Sequence, residues 1–145
     1  MTPVTHVLVV ANRTAATPAL LTAIRARAES SPCRFYLVVP ATPKGLHRLV
    51  DPEDSGKDLA GQNLEQALPL LSDAAGSPVE GHVGDPSPLS AIEDAVHQQS
   101  VDEILISTLP ARVSRWLHLD LVSKARGLRV PVTHVEASAP ATAAA

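Results

Sequence analysis

Three short runs of unbroken apolar residues constrain what this chain can become. Val7-Leu8-Val9-Val10-Ala11, Phe35-Tyr36-Leu37-Val38-Val39 and Ile104-Leu105-Ile106 are rich in β-branched side chains and show no polar–apolar alternation. A strand without alternation is covered on both faces. The segments between these runs have another period. Leu20, Leu21, Ile24 and Ala28 make a helical stripe, opened by Thr17 as N-cap with Pro18 in the first helical position and stopped by Ser30-Ser31-Pro32. Leu59, Leu64, Leu68 and Leu71 predict a helix over 58–75, with a kink or break at Pro69 and a stop at Gly76. Asp85-Pro86-Ser87-Pro88 opens a third helix with Leu89, Ile92 and Val96 on its apolar side, and residues 111–126 carry one more helical period up to Gly127. Two weaker strands complete the order, Val79 to Val83 and Val130 to Val135, the latter tolerating Pro131 as an edge strand does.

Buried strands that alternate with helices predict an α/β fold, an open parallel sheet with helices on both faces. The five strands are expected near 6–11, 34–39, 79–83, 102–107 and 131–135, with four intervening helices. Right-handed crossovers leave few topologies. The connection 41–57 is the longest irregular one, and its acidic Asp51, Glu53 and Asp54 read as a solvated cluster. Residues 1–136 are read as one domain and the small-residue tail 137–145 as disordered.

Composition narrows the function classes. With 45% hydrophobic and only 2% aromatic residues, the core must be Val, Leu, Ile and Ala. A net charge of −3 without a Lys/Arg run speaks against nucleic acid as a partner and against a polybasic membrane anchor. No stretch approaches the roughly 18 apolar residues of a membrane span. Cys33 is the single cysteine, so no intrachain disulfide forms; a reducing, cytoplasmic setting is the expectation, with Cys33 as a small inert residue.

In open parallel sheets, ligands sit beyond the carboxyl ends of the strands, where the connections diverge. That rule selects Asn12 to Thr14, Pro40 to Thr42 and Ser107 to Ser114. Arg13, Arg112 and Arg115 with the hydroxyls of Thr14, Ser107, Thr108 and Ser114 would suit a small anion; the plain alternative is arginines that are solvated or paired with nearby acids. Asn12 is either a ligand-reading amide or a turn residue ending its strand. His6, His47, His82, His97, His118 and His134 lack metal-site spacing, and His82 with Asp85 reads as a loop coincidence. Ser107, His118 and Asp120 are the residue types of a triad, but no Gly-x-Ser-x-Gly elbow accompanies them. No enzymatic activity and no cofactor are therefore expected. Trp116 reads as a packing anchor or an interface residue rather than a stacking platform.

Several ordered segments together resemble the universal stress protein family. Gly84-Asp85-Pro86 leading to Ala91-Ile92 and Ala95 is similar to the opening of its third helix, Asp102-Glu103-Ile104-Leu105-Ile106 to its fourth strand, and Pro131-Val132 to the start of its last strand. The resemblance spans residues 5–136. It implies strand order 3-2-1-4-5 and a homodimer formed through the last strand, Val130 to Val135. ATP-binding members carry Gly, two residues, Gly, nine residues, then Gly-Ser or Gly-Thr after the fourth strand. That spacing falls on Ser107, Pro110, Asp120 and Leu121, and none of the four residue types is retained. The family's first-strand Asp is matched by Asn12. Pro110 has no N–H to offer a phosphate. Asp120 is expected to cap the last helix and to occupy its anion position. The resemblance thus implies a divergent, non-ATP-binding member, with a nucleotide-binding stress-response protein of atypical phosphate loop as the alternative.

Overall fold

The computed structural model describes residues 4–41, 56–110 and 114–137, apart from the side chains of residues 56–58, 115 and 118. The acidic cluster of the long connection, His47, Arg112 and the tail beyond Ala137 lie outside the described residues. Strand β1 (Thr5–Val10) leads to helix α1 (Pro18–Ser30), β2 (Cys33–Pro40), α2 (Gly56–Ala75), β3 (Glu80–Gly84), α3 (Pro88–Gln98), β4 (Glu103–Thr108), α4 (Arg115–His118), α5 (Leu121–Arg126) and β5 (Val132–Glu136). All neighbouring strands pair in parallel, in the order β3-β2-β1-β4-β5.

The absence of alternation in the central strands has the expected cause. Val7, Val9, Phe35, Leu37, Val39 and Leu105 face one way, into a core closed by α1 and α2 through Leu20, Ile24, Ala67 and Leu71. Leu8, Val10, Val38, Ile104 and Ile106 face the other way, against Ala91, Ile92 and Ala95 of α3 and Leu121 and Ala125 of α5. Trp116 packs half-buried against this second core, as a packing anchor does.

Four local expectations are corrected. Helix α2 runs through Pro69 without the break that was one of the two expected outcomes, and Pro69 lies on its exposed side. The core face of α2 is Ala60, Ala67, Leu71 and Ala74, with Leu64 and Leu68 partly buried against the same core, so that of the expected leucine stripe only Leu59, 45% exposed, departs. The period over 111–126 covers two short helices, because Asp120 between them takes a left-handed backbone, φ 61° and ψ 37°. Thr17 stands at the N-cap of α1 with extended dihedrals, but its hydroxyl donates back to the Thr14 carbonyl (2.9 Å) and no side-chain cap bond forms. Asp85-Pro86-Ser87-Pro88 opens α3 as expected, with Ser87 accepting from the Ser90 amide and Pro88 as the first helical residue.

Gly81 of β3 lies beneath α2. A Cβ there would stand 2.4 Å from the Leu37 carbonyl oxygen and 2.9 Å from Leu64 Cδ1. Only a residue without a side chain lets the helix settle this close to the sheet.

Candidate functional site

The connection after β1 runs to α1 on one face, and the connection after β4 runs to α5 on the other. The two chains diverge at the carboxyl ends of β1 and β4, which makes this the switch point of the sheet. The β1 connection is a tight turn, with Ala15 N–H on the Asn12 carbonyl (3.2 Å) and Thr17 N–H on the Thr14 carbonyl (3.1 Å). That turn buries Thr14 against the end of β4. Thr14 Oγ1 and Ser107 Oγ meet at 2.6 Å, and the two residues are 2% and 1% exposed. A buried hydroxyl needs a partner, and each supplies the other's.

The remaining candidates are engaged with the protein in the same way. Asn12 Nδ2 donates to the Pro40 carbonyl (2.7 Å), and Asn12 Oδ1 accepts from Asn63 Nδ2 (2.7 Å). Asn12 therefore ties the ends of β1 and β2 to α2, with both amide functions in use. Asn63 carried no sequence signal: it is one polar residue of a helix, brought within reach by the close seat of α2 over Gly81. Thr108 Oγ1 lies 2.8 Å from His134 Nε2 of β5, and Ser114 Oγ accepts from the Leu117 amide (3.1 Å), capping α4. Arg13 is exposed and makes no ion pair with a described residue. Arg112 and the Arg115 side chain are outside the described residues, so the expected arginine cluster is represented here by Arg13.

The four motif positions each have a plain structural occupation. Ser107 is the buried hydroxyl just described. The Pro110 carbonyl accepts from the Ser114 amide (3.0 Å). Leu121 is 3% exposed, within the core under α5. Asp120 is exposed and makes no side-chain cap bond to α5, against expectation. A capping side chain needs an extended backbone, which a left-handed residue does not have.

The triad types do not assemble among the described side chains, since Ser107 bonds Thr14 rather than a base. His82 and Asp85 do not pair either: His82 Nδ1 meets the Tyr36 hydroxyl (2.7 Å), and Asp85 Oδ1 accepts from the Ser87 amide (2.8 Å). Among the described residues no group of three His, Cys, Asp or Glu is placed to hold a metal ion. No helix among them is long and apolar enough to cross a membrane.

No protein-family model matches the sequence, and no curated protein matches it. Solved structures do match. A universal stress protein from Archaeoglobus fulgidus superimposes with a TM-score of 0.62 at 18% identity, over 90% of this chain and 93% of that one. A universal stress protein family protein from Arabidopsis thaliana, solved with AMP bound, gives 0.62 at 17% identity over 95% of both chains. A universal stress protein in complex with cAMP gives 0.58 at 15% identity, over 92% of this chain and 98% of that one. The fold is that of the universal stress proteins. The strand order implied by that resemblance, 3-2-1-4-5, is the order observed. Asp120, the position on which the resemblance lays the motif's third glycine, has the positive φ that glycine adopts without strain.

Proposed function

We propose that this chain is a divergent universal stress protein-like module that has lost ATP-phosphate binding and acts by pairing with a second copy of itself. The Thr14–Ser107 hydroxyl pair carries the first half. It puts a buried, hydrogen-bonded side chain, Ser107, at the first motif position, where a glycine would let backbone amides approach phosphate. Pro110 offers no amide. Leu121 replaces a hydroxyl with a core side chain. Each lost amide–phosphate hydrogen bond is worth about 1.5–3 kcal/mol. Losing two of them weakens binding by about a hundredfold or more. Isothermal titration with ATP at low salt tests this directly. The expected result is no binding at micromolar concentration; a dissociation constant in the low micromolar range overturns it. Ser107→Gly combined with Pro110→Gly and Asp120→Gly is expected to raise ATP affinity.

The edge position of β5 supports the second half. An edge strand carries unpaired backbone groups that invite a partner strand, and two copies meeting about a twofold axis satisfy both edges at once. Light scattering at high concentration is expected to give twice the chain mass. A monomer, or a dimer joined wholly elsewhere, contradicts it. At the crevice mouth the same reading leaves room for a small anion other than ATP beside Arg13, and it assigns the chain no enzymatic role. A cytoplasmic setting agrees with the single cysteine, and any part in stress response rests on likeness of fold.

A second reading is nucleotide binding through an atypical phosphate loop. It is favoured by neighbours solved with AMP, dAMP and cAMP. Titration with AMP separates the two: saturable binding that Asn12→Ala abolishes favours this second reading.

A further inference from the structure

The polar side chains at the carboxyl end of the sheet are largely bonded to one another; at the amino end, Arg34 and Glu80 are exposed and make no ion pair with a described residue. A concavity of about 210 Å³ opens there, at the starts of β1 and β2. His6 of β1 and Arg34 of β2 are register partners on its rim, and Tyr36 follows on the same face of β2. Glu80 of β3 is the register partner of Tyr36, and Gln99, just past the end of α3, closes the wall. The Tyr36 hydroxyl is fixed between His82 Nδ1, at 2.7 Å, and the side chain of Gln99. Burial pushes this phenol above its ordinary value of 10.0, so it is a neutral wall at physiological pH. Arg34 and Glu80 are exposed on the two strands that flank this wall, one cation and one anion, and neither makes an ion pair with a described residue. The C-terminal end of α3 adds partial negative charge on the Gln99 side.

We infer that this concavity binds a small zwitterion, a free α-amino acid whose carboxylate pairs with Arg34 and whose ammonium pairs with Glu80, lying across the Tyr36 ring. The space is smaller than the roughly 300–1,000 Å³ of drug-sized pockets, so it suits a molecule of a few heavy atoms. The planar guanidinium matches a carboxylate with two parallel bonds, and Glu80 with the helix terminus favours the cationic end. The opposed charges set both the polarity of the ligand and its orientation. Both partners are solvent-facing, so the affinity is modest, of the order of millimolar.

Tyr36 is the only tyrosine of the chain, which makes its ring resonances a reporter inside the proposed site. The probe is L-alanine, titrated into the full chain and followed by proton–carbon NMR. A saturable shift of the Tyr36 ring at millimolar concentration is expected. Arg34→Ala and Glu80→Gln, both at exposed positions, are expected to keep the wild-type melting temperature and to weaken binding by about tenfold each. N-acetyl-L-alanine, which lacks the ammonium, and L-alaninamide, which lacks the carboxylate, are expected not to saturate. The inference fails if wild-type Tyr36 shows no saturable shift, if either variant keeps wild-type affinity, or if a blocked analogue binds as well as L-alanine.

Discussion

Asp120 holds a backbone conformation that costs an L-residue free energy, and its carboxylate makes no cap bond in return. Left-handed residues other than glycine are disfavoured by about 1–2 kcal/mol, less for Asp and Asn. Asp120→Gly is therefore expected to stabilise the chain by about 0.5–1 kcal/mol in urea unfolding, not to weaken α5. The sequence shows a good capping residue before a helix; it does not show the dihedrals, and these decide whether the cap can form. The same boundary between legible and illegible runs through the switch point. Ser107, Thr108 and Asn12 are visible as polar residues ending buried strands, but their partners Thr14, His134 and Asn63 depend on which elements come together. At the other end, Tyr36 makes a pH prediction. Burial keeps its proton bound to higher pH in the folded chain than in the unfolded one. The folded state then binds more protons than the unfolded state above pH 10.0, so stability from this group is complete below that pH and falls as pH rises through the folded value. Tyr36→Phe is expected to flatten the alkaline fall in melting temperature relative to wild type; an unchanged slope contradicts the assignment.

Among elements, α2 depends most on a single residue of its neighbour. The Cβ of any other residue at Gly81 would press on the Leu37 carbonyl of β2 and on Leu64 of α2, so β3 must shift against β2 and α2 must give way. Gly81→Ala is expected to destabilise by about 1–3 kcal/mol, the range of core overpacking, and to loosen the Asn63–Asn12 bond by lifting α2. Loss of hydrogen-exchange protection over 56–75 measures it. The strands were the readable elements, because continuous burial leaves a continuous apolar run. Helix α2 was readable in extent and in most of its facing: Leu64, Leu68 and Leu71 of the stripe pack on the core, but Leu59 is exposed, and the buried alanines at 60, 67 and 74 are ones the leucine stripe does not point to. Small residues face a sheet that lies close, and closeness is a tertiary fact. The division of 111–126 into α4 and α5 was hidden for a related reason, since one left-handed residue does not interrupt an apolar period.

At the scale of the whole molecule, the sheet's class followed from the alternation of buried strands and helices, while its strand order came from resemblance to a family rather than from any periodicity. That order places β1 beside β4, joining residues 7–10 to 103–106. The seam is held by side chains along its length. The His6 amide donates to Asp102 Oδ2 (2.9 Å) at one end, Thr14 and Ser107 close the other, and Arg27 of α1 forms a double hydrogen bond with Glu103 between them. Chain segments this distant meet only after a large entropy of loop closure has been overcome, while β1-α1-β2 can form from local contacts. The seam is accordingly expected to be the late step of folding and the first to part. In stopped-flow kinetics, Asp102→Ala and Ser107→Ala should each quicken unfolding and leave the folding rate nearly unchanged; a folding rate that falls in step would place β1–β4 contact in the nucleus. A chain emerging from the ribosome would then carry Val7, Val9 and their neighbours without a β4 to lie against until its last third is made, and that interval, not the finished fold, is when its central strand is open to the wrong partner.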